Sequence, residues 1–76
     1  MDEQARQLRK TVGSNIRSLR EREGLSLRRC ALMCGIDFTH LCEIERGNSA
    51  ATTDMLSKIA SGLGVEPFEL MVPRAE

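Results

Sequence analysis

An all-α fold is what this sequence predicts, and three observations carry it. Apolar residues recur at three- and four-residue spacings along most of the chain. No period-two alternation is long enough for a strand, and glycines at 24, 35, 47 and 64 cut the helical stripes into short rods. The first rod has Ala5, Leu8, Val12, Ile16 and Leu19 on one stripe, and Gly24 stops it after Arg-Glu-Arg-Glu. Gly13 weakens its middle and Thr11 offers a fresh cap. The stripe therefore reads either as one long helix or as a short tail leading into a helix from Val12; we favour the second. Ser26 caps the next helix, which sets Leu27, Cys30, Ala31 and Cys34 on one face and ends at Gly35. Asp37 caps a third, with Leu41 and Ile44 pointing inward and Gly47 at its end. Beyond a loop from Asn48 to Ala51, Thr52 or Thr53 caps a fourth helix containing Met55, Leu56, Ile59, Ala60 and Leu63, and Gly64 ends it. Pro67 at a first helical position opens a short fifth helix through Met71.

Seventy-six residues make one small domain. A chain this short buries only ~60% of its unfolded surface, so its 41% of apolar residues must supply a single core. With Phe38 and Phe68 as the only aromatics, that core is aliphatic. No apolar run approaches the ~20 residues of a membrane span, and the charged start Met-Asp-Glu-Gln-Ala-Arg lacks a signal peptide's apolar stretch. The expectation is a cytoplasmic protein with reduced cysteines. Net charge is zero but uneven: residues 1–29 hold eight Lys/Arg against four Asp/Glu, and residues 30–76 hold three against seven. Such a chain does not coat nucleic acid indiscriminately. Any anion it binds must meet a local patch, which the first half supplies.

All three cysteines and the only histidine fall between residues 30 and 42. Stepping about 100° per residue from Leu41 and Ile44 points Thr39, Cys42 and Glu43 away from the core, with Phe38 and His40 on the flanks. Cys30 and Cys34 share the inward face of the preceding helix. A zinc site needs three or four ligands converging at ~2.0–2.3 Å, and these directions diverge, so Cys30 and Cys34 read as small hydrophobes. A metal or redox role remains the less favoured alternative. An enzyme is disfavoured too: His40 has Glu43 at i+3, but nothing supplies a nucleophile or an oxyanion hole.

Ala31 in mid-helix lets a neighbouring helix cross closely, and Gly35 supplies the left-handed conformation that a tight inter-helix turn demands. Ile36 plugs that turn, and Leu41 and Ile44 anchor the following helix. Two helices joined steeply by a three- or four-residue turn form a helix-turn-helix. Here the chain resembles the Cro/phage-repressor (XRE-like) helix-turn-helix proteins. The matching stretches are Ile-Arg-Ser-Leu-Arg-Glu-Arg-Glu-Gly-Leu-Ser (16–26), Cys-Ala-Leu-Met-Cys-Gly-Ile (30–36), Leu-Cys-Glu-Ile-Glu-Arg-Gly (41–47) and Leu-Ser-Lys-Ile-Ala-Ser-Gly-Leu-Gly-Val (56–65). The resemblance implies a five-helix, lambda-repressor-like domain over residues 12–72. Its motif would span 27–46 and its recognition helix about 38–46, leaving 1–11 as an extension, helical or not, and 73–76 as a tail. It also implies that Arg20 pairs with Glu45 to orient the recognition helix.

Helix N-termini are natural phosphate ligands. Ser26, Arg28 and Arg29 open the second helix, where the resemblance places a DNA phosphate; a solvated helix face is the plainer alternative for the two arginines. Arg46, Asn48, Ser49 and Thr52 match a second phosphate site, and Thr52 also fits a simple N-cap. Base contacts would fall to Phe38, Thr39, Cys42 and Glu43, through thymine methyls and, for Glu43, a cytosine amino group. Two features depart from the family pattern. Leu27 stands where a glutamine usually touches phosphate, and the recognition helix carries Asp37 and Glu43 with no lysine.

The expected function is a sequence-specific regulator of transcription, a repressor, whose partner is double-stranded DNA. It is expected to act as a homodimer through the apolar C-terminal residues Phe68, Leu70, Met71 and Val72. In the alternative packing Phe68 and Met71 close the core and only Leu70 and Val72 stay outside. No cofactor, metal, small-molecule substrate or membrane partner is expected. The competing function is a protein-interaction module on the same fold, suited by Leu27, Phe38 and Glu43.

Overall fold

Asp2 opens the first helix of the computed structural model, which describes residues 2–74. Its Oδ1 accepts from the Gln4 N–H at 3.2 Å, and α1 runs unbroken over Glu3–Arg22. The favoured start at Val12 is thereby corrected. A carboxylate cap and Glu3 in the first turn both complement the helix dipole, and the Ala5–Leu8–Val12 stripe stays in phase with Ile16, so no break is needed. Thr11 lies inside the helix.

Gly13, the residue that suggested a break, has a packing reason. A Cβ there would run into the Ile44 carbonyl and lie 2.6 Å from the Glu45 carbonyl oxygen. Glycine in a helix interior costs about 1 kcal/mol relative to alanine, and here it allows α1 to cross the C-terminal end of α3 backbone against backbone.

Three further α-helices follow: α2 (Leu27–Cys34), α3 (Phe38–Glu45) and α4 (Thr53–Leu63), then a 3-10 helix over Pro67–Leu70. Their N-caps are Ser26, Asp37 and Thr52, whose side-chain oxygens accept from Arg29, His40 and Met55 N–H groups at 3.0–3.1 Å. Each cap satisfies one otherwise orphaned helix donor. Gly35 ends α2 in the left-handed region (φ 70°), and the Ile36 N–H returns to the Ala31 carbonyl at 3.1 Å. That closure makes the turn into α3 short. Ile36 is half-buried against the core.

The helices enclose one aliphatic core in which Ile16, Leu19, Cys30, Leu41, Ile44, Ile59 and Leu70 are essentially inaccessible. α4 approaches α2 at a second close crossing: a Cβ at Gly62 would sit 2.6 Å from the Cys34 sulfur and 3.1 Å from its Cα.

The C-terminal segment packs differently from either expectation. Leu70 is fully buried and closes the core, whereas Phe68, Met71 and Val72 are 61%, 42% and 52% exposed. Residues of a 3-10 helix step about 120°, so i and i+3 eclipse; Phe68 and Met71 share the outside, and Leu70 cannot join them. Asn15 fastens this segment. It is the buried polar residue of α1, and its Nδ2 donates to the Leu70 and Val72 carbonyls at 2.9 and 2.8 Å.

Candidate nucleic-acid interface

α3 is held from beneath and from its end. Leu41 and Ile44 are buried under it. At its last residue, Glu45 Oε2 and Oε1 accept from Arg20 Nε and Nη2 at 2.8 and 3.2 Å. Arg20 also donates through Nη1 to the Leu25 carbonyl at 2.8 Å, tying the α1–α2 turn into the same node. The two side chains are only 12% and 7% exposed. A planar fork on a carboxylate fixes direction as well as distance. The Glu45 carboxylate beside it pushes the Arg20 guanidinium further above its already high range, so the guanidinium stays charged.

With its inner face committed, α3 leaves an outer edge. Thr39 is exposed, and Cys42 and Glu43 are half-exposed on the same side. Glu43 does not stand as a bare charge beside an anionic ligand, because Arg46 Nη1 donates to its Oε2 at 3.3 Å. Both side chains are well exposed, and such a surface pair is worth roughly 0–1 kcal/mol. Its partners can be exchanged for a ligand at little cost.

Phe38 and Arg28 form a unit across the turn. Phe38, the first residue of α3, is half-buried against the core. The Arg28 guanidinium carbon lies 4.2 Å from its ring centroid, well inside the ~6 Å range of cation–π attraction. Arg28 therefore leans toward α3. Arg29 is exposed, and the Ser26 hydroxyl oxygen caps its N–H. Thr52 caps α4 in the same way, with Asn48 exposed and Ser49 half-buried just before it. A capping hydroxyl accepts with its oxygen and keeps its O–H to donate, so Ser26 and Thr52 can cap and touch a phosphate together. His40 contacts the Ala50 carbonyl at 3.4 Å through Nε2 and steadies that loop.

Ala31 and Gly35 sit where the turn needs them, one buried and one left-handed. Leu27 is half-buried against the core and lines a hollow with Arg17, Cys42 and Arg46. The sulfurs separate as their helices dictate. Cys30 and Cys34 are buried 3.9 Å apart, while Cys42 is half-exposed on α3. The contact with Cys30, and then burial, pushes the Cys34 thiol up, which keeps it protonated and inert.

The sequence assigns no packing role to four residues that position this surface: Gly13, read there only as a weak point of the helix, with Asn15 and Gly62, which set helix approach and the C-terminal anchor, and Arg17, which flanks Cys42 and Arg46. For the first three a signal existed. Each falls on or beside an inward stripe, where a small or polar residue marks a close crossing or a buried hydrogen bond.

Two short helices joined by a tight turn, the second clamped by an ion pair with its outer edge open, define the helix-turn-helix class. A family model described as helix-turn-helix (HTH_3) matches residues 16–70, and the chain belongs to that family. It is 36% identical over 69 residues to an uncharacterised HTH-type transcriptional regulator, y4dJ, of Sinorhizobium fredii, covering 91% of this chain and 90% of that protein. It is 31% identical to the control protein C.BamHI of Bacillus amyloliquefaciens, covering 84% of this chain and 80% of the relative. Coverage of a hypothetical transcription factor from Neisseria meningitidis is lower, 65% of that protein's length at 33% identity. Among solved structures, the restriction-modification controller protein C.AhdI from Aeromonas hydrophila superposes with a TM-score of 0.79 at 32% identity, over 82% of this chain and 94% of that one.

Proposed function

We propose that this protein regulates transcription by laying α3 in the DNA major groove as a sequence-specific reader. As a helix-turn-helix family member it is a DNA-binding transcriptional regulator; the finer reading is repression by a homodimer. The observation that carries it is the open edge of α3, with Thr39, Cys42 and Glu43 facing out while Leu41, Ile44 and Glu45 are fixed beneath. A helix is about 10–12 Å across and the major groove about 12 Å wide, so an unobstructed edge fits. Thr39 and Cys42 suit thymine methyls, and Glu43, released from Arg46, suits a cytosine amino group. Ser26 and Arg29 at the α2 N-terminus, with Arg46, Asn48, Ser49 and Thr52 beyond α3, are the phosphate grips.

Exposed Phe68, Met71 and Val72 support the homodimer, and Leu8 and Met71 line one shallow hollow that extends the apolar surface onto α1. Two-fold pairing there would set two copies of α3 against half-sites about 34 Å apart. Among the described residues no helix is long and apolar enough to cross a membrane, and a cytoplasmic site of action fits this reading.

Titration of fluorescent genomic duplexes, including the region upstream of the protein's own gene, tests it. One or a few fragments should bind tightly, and log K should fall with log salt by about 0.9 per phosphate contacted. A second reading, a protein-binding module, has one observation in its favour: Leu32 and Met33 are 78% and 51% exposed on α2. Absence of DNA binding even at low salt would transfer support to it.

A further inference from the structure

We propose that Arg28 reads a guanine base and that Phe38 is the platform that positions it. This rests on the DNA-binding reading above and deepens it by naming the base and the residue that selects it.

The outer edge of α3 lacks the chemistry that guanine requires. In the major groove guanine presents two acceptors, O6 and N7, and the best match is a paired N–H donor from arginine or lysine. Thr39 offers one hydroxyl, Cys42 a weak S–H donor and Glu43 only acceptors. Arg20 is committed to Glu45; Arg46 and Arg17 rest on Glu43 at 3.3 Å and Glu21 at 3.1 Å in exchangeable surface pairs, and among the described residues Arg29 has neither a carboxylate nor a ring to orient it. Arg28 differs. Among the described residues it has no carboxylate partner, and what holds it is the Phe38 ring, 4.2 Å from its guanidinium carbon.

That arrangement favours a base over a phosphate. A phosphate grip needs only a cation within reach, and a freely moving arginine serves. A guanine edge needs a planar fork presented in a fixed place, so orientation matters more than charge. Phe38 supplies the orientation: it begins α3 and is packed against the core, so its ring is anchored. The first residues of a recognition helix are also those that meet base edges. A side chain reaching over from α2 and resting on that first residue is placed at the same depth. The contact is with the ring face rather than an oxygen acceptor, so it leaves guanidinium N–H donors for the base.

The test uses the full chain and a duplex enriched by the wild-type protein from a random library. Affinities of wild type, Arg28→Ala and Phe38→Leu are measured on a panel of single-base-pair substitutions at several salt concentrations, with thermal unfolding to confirm that Phe38→Leu remains folded. Arg28→Ala should weaken the enriched site roughly tenfold or more. It should make all four base pairs equivalent at one guanine-bearing position per half-site, with the salt slope unchanged. Phe38→Leu should relax discrimination at that same position. A uniform loss across the panel with the slope reduced by about 0.9 would make Arg28 a phosphate contact and overturn the proposal alone. Unchanged discrimination at every position would also overturn it. A wild-type protein that enriches no sequence would overturn both this proposal and the reading beneath it.

Discussion

Arg20 and Glu45 sit at the junction of α1, the α1–α2 turn and the end of α3, and removing either charge leaves its partner stranded in a largely dry site. Breaking a buried pair from one side costs about 3 kcal/mol or more. Arg20→Ala should therefore lower the free energy of unfolding by about that much, measured by urea denaturation. Surface Arg17→Ala, whose pair with Glu21 is more than half exposed on both sides, should change it by less than about 1 kcal/mol. Equal effects would remove the special standing of the buried pair. Gly13 tests the same region from the backbone side. Alanine in a helix usually stabilises relative to glycine by about 1 kcal/mol. Here its methyl would meet the Ile44 and Glu45 carbonyls, which cannot move without shifting α3, and overpacking costs about 1–3 kcal/mol. Gly13→Ala should be net destabilising; a gain in melting temperature would show that the crossing is looser than described.

Whole elements were legible in the sequence wherever a cap and an apolar stripe agreed. Ser26, Asp37 and Thr52 all cap, and Gly35 and Gly64 both end helices in the left-handed region. The first helix was legible only as an alternative, one long rod against a start at Val12, and the structure takes the long rod. As a local propensity Gly13 argues for a break, but its value is tertiary and depends on the distant carbonyls of Ile44 and Glu45. Leu70 failed for a related reason: a 3-10 helix shifts the periodicity, so the apolar run from Phe68 to Val72 divides between core and solvent in a way an α-helical step does not give. Helix direction did place the sulfurs, which gives a prediction at this scale. A thiol reagent should label one cysteine, Cys42, in the native protein, and reach Cys30 and Cys34 only on unfolding, as read by mass spectrometry. Native labelling of Cys34 would contradict its burial between α2 and α4.

For the molecule as a whole, zero net charge means that no general cationic field holds it on DNA. Affinity has to come from a few placed contacts, and a second copy would double them. Phe68, Met71 and Val72 are the apolar residues that the C-terminal segment leaves in water while Asn15 pins that segment to α1. Met71→Glu should shift sedimentation toward the monomer and weaken DNA binding together, with the fold intact because Met71 contributes little to the core. An unchanged sedimentation profile would overturn the proposed two-fold contact at Met71. The exposed edge of α3 was legible in the sequence as directions of side chains around a short helix. The stack of Arg28 on Phe38 was not, because it joins two helices across a turn and no spacing within either one encodes it.

We propose that the outer edge of α3 selects DNA sequence. The most direct measurement is enrichment of duplexes from a random library by the wild-type protein and by Thr39→Asp and Cys42→Asp variants shown to be folded. A motif should emerge with the wild type and be lost or altered with each variant. The same motif recovered from all three proteins would contradict it.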